Sequence, residues 1–177
     1  AFQEMLAEAL AVHPNKPILI KTHPDIARSK KKGHFDFTNL PNNVHLLVED
    51  CLLPALMNKV SDVYVVTSQL GFEALLYGKR VHCFGMPFYA GWGLTRDKQV
   101  LERRCVSLSL AQLVFSCLIM YPTYLSPETQ KICEAEEVVD WLALQLDGQG
   151  VERTAVDVCY AFGFSLWKRA FVKQFVG

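Results

Sequence analysis

Two short stretches carry the residue types that can hold a phosphate. Val63-Tyr64-Val65-Val66 is apolar and β-branched and reads as a strand; Thr67 and Ser68 follow it directly, and Gln69 to Tyr77 then reads as a helix closed by Gly78. A strand-to-helix junction of this kind aims hydroxyls and unpaired helix N–H groups at one point. Upstream, the apolar run Ile18-Leu19-Ile20 ends in Lys21-Thr22-His23-Pro24-Asp25, a cation, an imidazole and a proline. Pro24 lacks an N–H and biases His23 toward an extended backbone, which fixes the direction of the imidazole. If both strands lie in one parallel sheet, Lys21, His23, Thr67 and Ser68 share its carboxyl edge, where nucleotide phosphates are held. The chemistry implied is recognition of a nucleotide or a sugar nucleotide.

Each of these residues also has a plainer reading. Thr67 and Ser68 can act as helix caps, each contributing roughly 1 kcal/mol. Gly71 sits in the first helical turn at a cost of about 1 kcal/mol against alanine, which is reasonable where backbone or ligand approaches closely. Glu73 lies one turn beyond Ser68 and either complements the helix dipole or accepts hydrogen bonds from ribose hydroxyls. His23 can bind a phosphate or a base. Arg28, Lys30, Lys31, Lys32 and His34 form either a solvated loop or a screen for an anionic donor, acceptor or lipid headgroup. The loop Met86 to Thr95 is dense in aromatics; Gly91-Trp92-Gly93 reads as packing or as a wall over a sugar.

Composition narrows the classes. Hydrophobic residues are 51% and charged residues 20% of the 177 residues, so a sizeable core is expected. Lys plus Arg and Asp plus Glu are both 18, so a bulk electrostatic hold on nucleic acid or a membrane is not indicated. Six cysteines include no CxxC pair, which disfavours a zinc knuckle, and their apolar settings suit a reducing cytoplasm. No DxD-like acidic cluster is present, so no metal or other cofactor is expected. The longest apolar tract, Leu108 to Tyr121, is too short for a membrane span of ~20 residues. Residues 1–12 read as an amphipathic helix rather than a signal peptide, and the chain reads as a segment of something longer.

The elements that must position these groups follow in order. A helix over 2–12 precedes strands at 17–22 and 44–48, a helix to about residue 59, a strand at 63–67, a helix at 69–77 and a strand at 79–85. This β-α-β-α-β order predicts an α/β fold with a Rossmann-like, doubly wound parallel sheet. Helices are expected at 107–120, 127–146 and 151–175. The corresponding division is 1–106 as a nucleotide-sugar-binding domain, 107–150 as a helical extension and 151–177 as a connection to another half or module.

Residues 63–95, VYVVTSQLGFEALLYGKRVHCFGMPFYAGWGLT, together with the upstream KTHPD element, resemble the signature of the capsular polysaccharide biosynthesis proteins of the KpsC/LipB type. The similarity spans about residues 16–100 and extends more loosely to the Phe162-Gly163-Phe164-Ser165 region. The resemblance implies the donor-binding half of a GT-B-like glycosyltransferase, a retaining β-Kdo transferase that takes Kdo from CMP-β-Kdo. It implies a lipid-linked, phosphatidylglycerol-type acceptor at the cytoplasmic face of a Gram-negative inner membrane, alongside other capsule assembly proteins. By the same resemblance His23 and Pro24 contact CMP, and Thr67 and Ser68 meet its phosphate; Lys21, Gln69, Gly71, Glu73, Gly91 and Trp92 are the further donor-site candidates, taken from the residues themselves. The family's acidic catalytic residues lie in the acceptor-side half, so no nucleophile or general acid is assigned here. Two rival readings remain: another GT-B-like nucleotide-sugar enzyme, such as a sialyltransferase or an epimerase, and a non-catalytic binding or scaffolding module.

Overall fold

Phe2, Leu6, Ala9 and Leu10 recur at helical spacing and form α1 (Phe2–Val12), which ends at His13, just before Pro14. The computed structural model describes residues 1–21, 40–47 and 53–147. Strand β1 (Ile18–Lys21) pairs in parallel with β2 (Val44–Leu47), with Ile18 opposite Val44. The Pro41-Asn42-Asn43 turn leads into β2, and the Asn43 amide donates to the Lys16 carbonyl at 3.1 Å, fixing the start of the pair.

A short helix α2 (Leu53–Met57) precedes β3 (Asp62–Val65), helix α3 (Leu70–Leu76) and strand β4 (Arg80–Cys83). β3 and β4 run parallel, Asp62 opposite Arg80, as a strand–helix–strand crossover requires. Gly78 takes a φ of +66°, and Lys79 N–H reaches back to Ala74 O at 2.9 Å, the left-handed C-terminal closure expected of a glycine there. A further parallel strand, β5 (Arg96–Asp97), follows the aromatic loop beside β4 and was not expected from the sequence. The parallel, Rossmann-like layer predicted from the element order is therefore present. Its core is Val63 and Val65 on β3, Val81 and Cys83 on β4, and Phe72, Ala74 and Leu75 from α3, all buried.

The parallel strands form two ladders, β1–β2 and β3–β4–β5. Between them runs a crevice of about 530 Å³, lined by Ile18 to Lys21, by Asp62 to Val66 and by Phe2, Met5, Leu6, Ala9 and His13 of α1. Residues 1–109 form one compact unit and a second begins at Leu110.

The second unit departs from the expected helices. Helix α4 begins at Leu110 rather than 107 and passes into a π-helical segment, Phe115–Met120, whose wider turn is closed by Tyr121 N–H on Ser116 O at 3.1 Å. The helix expected over 127–146 is shorter. β6 (Tyr124–Leu125) and β7 (Ile132–Cys133) form an antiparallel hairpin, and helix α5 occupies Ala135–Asp147. Ser126-Pro127-Glu128 has the residue types of a helix start, but it makes one turn only. Gln130 N–H bonds Ser126 O at 2.9 Å, and Gln130 itself has a φ of +58°, which turns the chain back toward β7. Tyr124, Ala135 and Val138 are the small core of this unit. The helix expected over 151–175 lies outside the described residues. Among the described residues no helix is long and apolar enough to cross a membrane.

Candidate functional site

Lys21 and Ser68 stand where β1 and the β3 junction end, at the carboxyl edge of two parallel strands, and both line the crevice between the ladders. Thr67 and Ser68 are exposed. The Ser68 hydroxyl accepts from Leu70 N–H at 3.3 Å, so it caps α3 loosely, and Ser68 O accepts from Gly71 N–H at 3.1 Å. Gln69 stands at the helix entrance, its carbonyl taking Phe72 N–H at 2.9 Å.

The junction is held from behind by Tyr89, a fully buried residue whose phenol donates to the Ser68 carbonyl. Burial pushes that phenol well above the ordinary tyrosine range, so it stays a donor. The Tyr89 ring also accounts for Gly71. A Cβ at that position would run into the Tyr89 hydroxyl and lie 2.8 Å from its Cζ. Gly85, just past β4, plays the same part on the other side, where a Cβ would stand 2.8 Å from Val66 O and 2.9 Å from Thr67 Cγ2. Two glycines and one tyrosine thus set the backbone that presents Thr67 and Ser68.

Glu73 is partly buried in the first turn of α3, and burial pushes its carboxyl up to about 7, while the positive charge of Lys21 acts in the opposite direction. Lys21 thus lines the crevice with Ser68 and acts electrostatically on Glu73. At neutral pH Glu73 exchanges a proton readily, and its two forms differ in whether the carboxyl donates or only accepts.

The Gly91-Trp92-Gly93 loop is fastened internally. Arg104 donates to Pro87 O and Ala90 O, both at 2.6 Å, and its guanidinium lies 5.3 Å from the centre of the Trp92 ring. The Trp92 indole N–H donates to Phe88 O at 2.8 Å, and Asp97 accepts from Gly91 N–H at 2.8 Å and from the Thr95 hydroxyl at 2.6 Å. Gly91 and Gly93 have φ of +80° and +79°, a conformation that favours glycine. The loop connects to the junction through Tyr89. Arg104, Asp97 and Tyr89 escaped the sequence reading; the signal available was the YAGWG run itself, whose aromatic and glycines demand a clamp nearby.

His23 and Pro24 lie outside the described residues, as do Arg28, Lys30, Lys31, Lys32 and His34. Among the described residues no group of three His, Cys, Asp or Glu side chains is placed to hold a metal ion.

A second polar cluster lies at the amino end of β3. Asp62 accepts from Arg80 through two bonds at 2.8 and 2.7 Å, from the Ser61 hydroxyl at 2.9 Å, and lies 3.1 Å from His82 Nε2. The Arg80 bonds hold its carboxyl well below the usual carboxylate range against the opposing effect of burial, with His82 and Ser61 assisting. Tyr64 stacks on His82 at 4.3 Å between ring centres, and its hydroxyl lies 3.3 Å from His13 Nε2, which ties the end of α1 to the strand.

Residues 1–125 match the family model described as capsule polysaccharide biosynthesis protein. The chain is 39% identical over 180 residues to the capsule polysaccharide modification protein LipA of Neisseria meningitidis serogroup B, covering 98% of this chain and 25% of that protein. It is 37% identical over 136 residues to the lipopolysaccharide-processing protein LpsZ of Rhizobium meliloti, covering 77% of this chain and 31% of that one. Two solved structures are similar. The β-Kdo 2,4 transferase KpsC of Thermosulfurimonas dismutans has a TM-score of 0.73 at 39% identity, over 79% of this chain and 44% of that chain. The β-Kdo 2,7 transferase KpsC of the same organism has a TM-score of 0.64 at 34% identity, over 80% and 45%. The chain thus spans about a quarter of LipA and under half of the solved chains. The parallel, Rossmann-like layer is of the GT-B-like kind found in these KpsC structures. This chain belongs to the capsule polysaccharide biosynthesis protein family.

Proposed function

We propose that this chain is the donor-binding part of a β-Kdo transferase, which moves Kdo from CMP-β-Kdo to a lipid-linked acceptor in capsule linker synthesis. The observation that supports this most directly is the placing of Lys21 and Ser68 at the carboxyl ends of two parallel strands on one crevice, in a chain 39% identical to a β-Kdo 2,4 transferase. Departure of CMP leaves negative charge on its phosphate, and donors aimed there lower the barrier. Lys21, His23 and the Thr67 and Ser68 hydroxyls are the proposed donors. Glu73, when ionised, accepts from the ribose hydroxyls; Gln69 and Gly71 shape the helix entrance, and Gly91 and Trp92 form a wall toward the sugar. Residues 1–106 carry donor binding, 107–150 extend it and 151–177 lead to the remainder of the enzyme. The attacking and proton-transferring groups belong to the acceptor-side half, ahead of the His23-Pro24 element in sequence. The acceptor, a phosphatidylglycerol-type lipid, places the enzyme at the cytoplasmic face of an inner membrane with other capsule assembly proteins.

Calorimetry with nucleotides tests the reading. CMP is expected to bind and to raise the melting temperature, and the Ser68→Ala, His23→Ala double variant is expected to lose that response. An equal response to UDP or GDP would refute the assignment to a CMP-linked donor.

A further inference from the structure

Arg104 does not line the crevice, yet a short chain of contacts ties it to the Thr67-Ser68 junction. We infer that Arg104 is a positioning residue for the nucleotide phosphate, acting through Tyr89 on the backbone that presents Thr67 and Ser68. The inference rests on the donor-binding reading of that junction and adds to it a residue set behind it.

Pro87 to Ala90 is a turn closed by Ala90 N–H on Pro87 O at 3.1 Å, with Tyr89 as its third residue. Arg104 Nη1 donates to the carbonyls at both ends of that turn, Pro87 O and Ala90 O, each at 2.6 Å. Hydrogen bonds from a charged donor are roughly twice as strong as neutral ones. Neighbouring main-chain groups are held as well. Phe88 O takes the Trp92 indole N–H at 2.8 Å, Asp97 takes Gly91 N–H at 2.8 Å, and Leu108 N–H reaches Trp92 O at 2.9 Å. Of these partners only Arg104 grips the chain on both sides of Tyr89.

A turn fixed at both ends leaves Tyr89 one direction. Its ring meets Phe88 edge to face, with centres 5.2 Å apart, and lies 6.3 Å from the centre of the Phe72 ring. It is fully buried, and its hydroxyl fills the space that a Cβ at Gly71 would need. That hydroxyl donates to Ser68 O, which also accepts Gly71 N–H at 3.1 Å. In so closely packed a setting, movement of the turn is passed to the Ser68 peptide rather than absorbed on the way. The exposed Thr67 and Ser68 side chains flank that backbone. Misplacing a binding group by about 1 Å costs on the order of a hundredfold in rate.

The setting of Arg104 fits this role better than that of a space filler. It is partly buried, and burial drives its proton affinity down, with Arg103 adding to the effect. A desolvated cation is costly unless hydrogen-bonded; here it is received by the two turn carbonyls and by the Trp92 face at 5.3 Å. Its stem presses on Gly91, where a Cβ would stand 3.1 Å from Arg104 Cδ. An apolar chain of similar length would fill that space without the desolvation, but would leave the turn ends unheld.

A double-mutant cycle in the full-length protein, read as CMP affinity by calorimetry, tests this. Arg104→Met keeps the stem and removes both bonds. It is expected to weaken CMP binding about tenfold, as is Tyr89→Phe, with the double variant no weaker than either alone. Losses that multiply to about a hundredfold show two separate actions and overturn the proposal; so does unaltered affinity in a folded Arg104→Met protein. Arg104→Lys places its ammonium one bond short of Nη1 and is expected to recover part of the affinity. Recovery of melting temperature alone overturns the proposal, and Arg104→Lys carries the cycle if Arg104→Met does not fold. CMP carries no sugar, so these losses do not pass through the proposed Trp92 wall. Hydrogen exchange at Gly71, whose N–H is bonded to Ser68 O, separates this inference from the reading beneath it. If the wild-type protein ignores CMP, the donor reading fails and exchange decides the positioning. Faster exchange at Gly71 in both Arg104→Met and Tyr89→Phe upholds it, and unchanged exchange overturns it.

Discussion

The two ends of β3 carry carboxylates that have been treated in opposite ways. At the amino end Asp62 is matched by Arg80, His82 and Ser61, and its proton affinity is driven down. Past the carboxyl end burial drives the proton affinity of Glu73 up to about 7, against the opposing influence of Lys21. The first end is a piece of scaffold, since its charges satisfy one another. The second end presents exposed hydroxyls, a cation and a carboxyl that changes charge near neutrality. A carboxyl whose proton affinity is raised by burial, set beside a cation and exposed hydroxyls, is what a binding site presents.

The comparison breaks most sharply at Asp62. Asp62→Ala leaves the buried His82 without its carboxylate partner and frees Arg80, and it is expected to destabilise the protein by roughly 1–3 kcal/mol, measured by urea unfolding. CMP binding to the folded variant should be unaltered. The pH dependence has a defined sign. Because the folded-state pKa of Asp62 is depressed, its contribution is present above about 3.8, its unfolded value, and is lost as the pH falls below that. If Asp62→Ala costs nothing, the amino end is not the scaffold described.

Gly71→Ala is the next largest. The added methyl meets the Tyr89 ring, and overpacking of this kind costs about 2 kcal/mol. Tyr89→Phe in the same chain should recover part of the loss, because the hydroxyl is removed while Cζ stays 2.8 Å from the new Cβ. Recovery of stability without recovery of the CMP response would show that the phenol's bond to Ser68 O also sets the junction.

Glu73 gives a pH effect opposite to that of Asp62. Its folded pKa of about 7 stands above the ordinary 4.5, so the folded state holds a proton that the unfolded state has released between those values. Stability contributed there is present below about 4.5, falls as the pH rises toward 7 and is flat above it. After allowing for partial exposure the fall is roughly 2 kcal/mol. Glu73→Gln is expected to remove the slope, as read from melting temperatures across that window.

How much of this could be read from sequence depends on the range of the interactions. The parallel order followed from β-branched runs separated by helix-length segments, and Thr67-Ser68 was recognisable because the strand pattern stops and the helical one starts at that point. Gly78 was legible for the same local reason. Tyr89 reaching Ser68 across 21 positions, Arg104 clamping Pro87 and Ala90, and Arg80 completing Asp62 were not, since each joins residues distant in sequence through side chains of ordinary composition. The helix misread over 127–134 fails for a different reason. Ser126-Pro127-Glu128 is a sound helix start, and Gln130 in a left-handed conformation is a tertiary choice that local propensity does not disclose.

The smallest stability effect is expected at Ser68, and there the two ends of β3 separate most cleanly. Ser68→Ala removes a cap bond of 3.3 Å at an exposed site, worth about 1 kcal/mol or less. The backbone of the junction is held by Tyr89 and by Gly71 N–H on Ser68 O, neither of which needs the serine side chain. The fold at the junction should therefore persist. A hydrogen bond to a charged phosphate contributes ~1.5–3 kcal/mol, so CMP affinity should fall by roughly ten- to a hundredfold in calorimetry. Asp62→Ala shows the reverse pattern, with stability lost and affinity kept. If the two substitutions instead alter stability and affinity in parallel, the ends of β3 form one cooperative unit, and the division between scaffold and site drawn from their carboxylates fails.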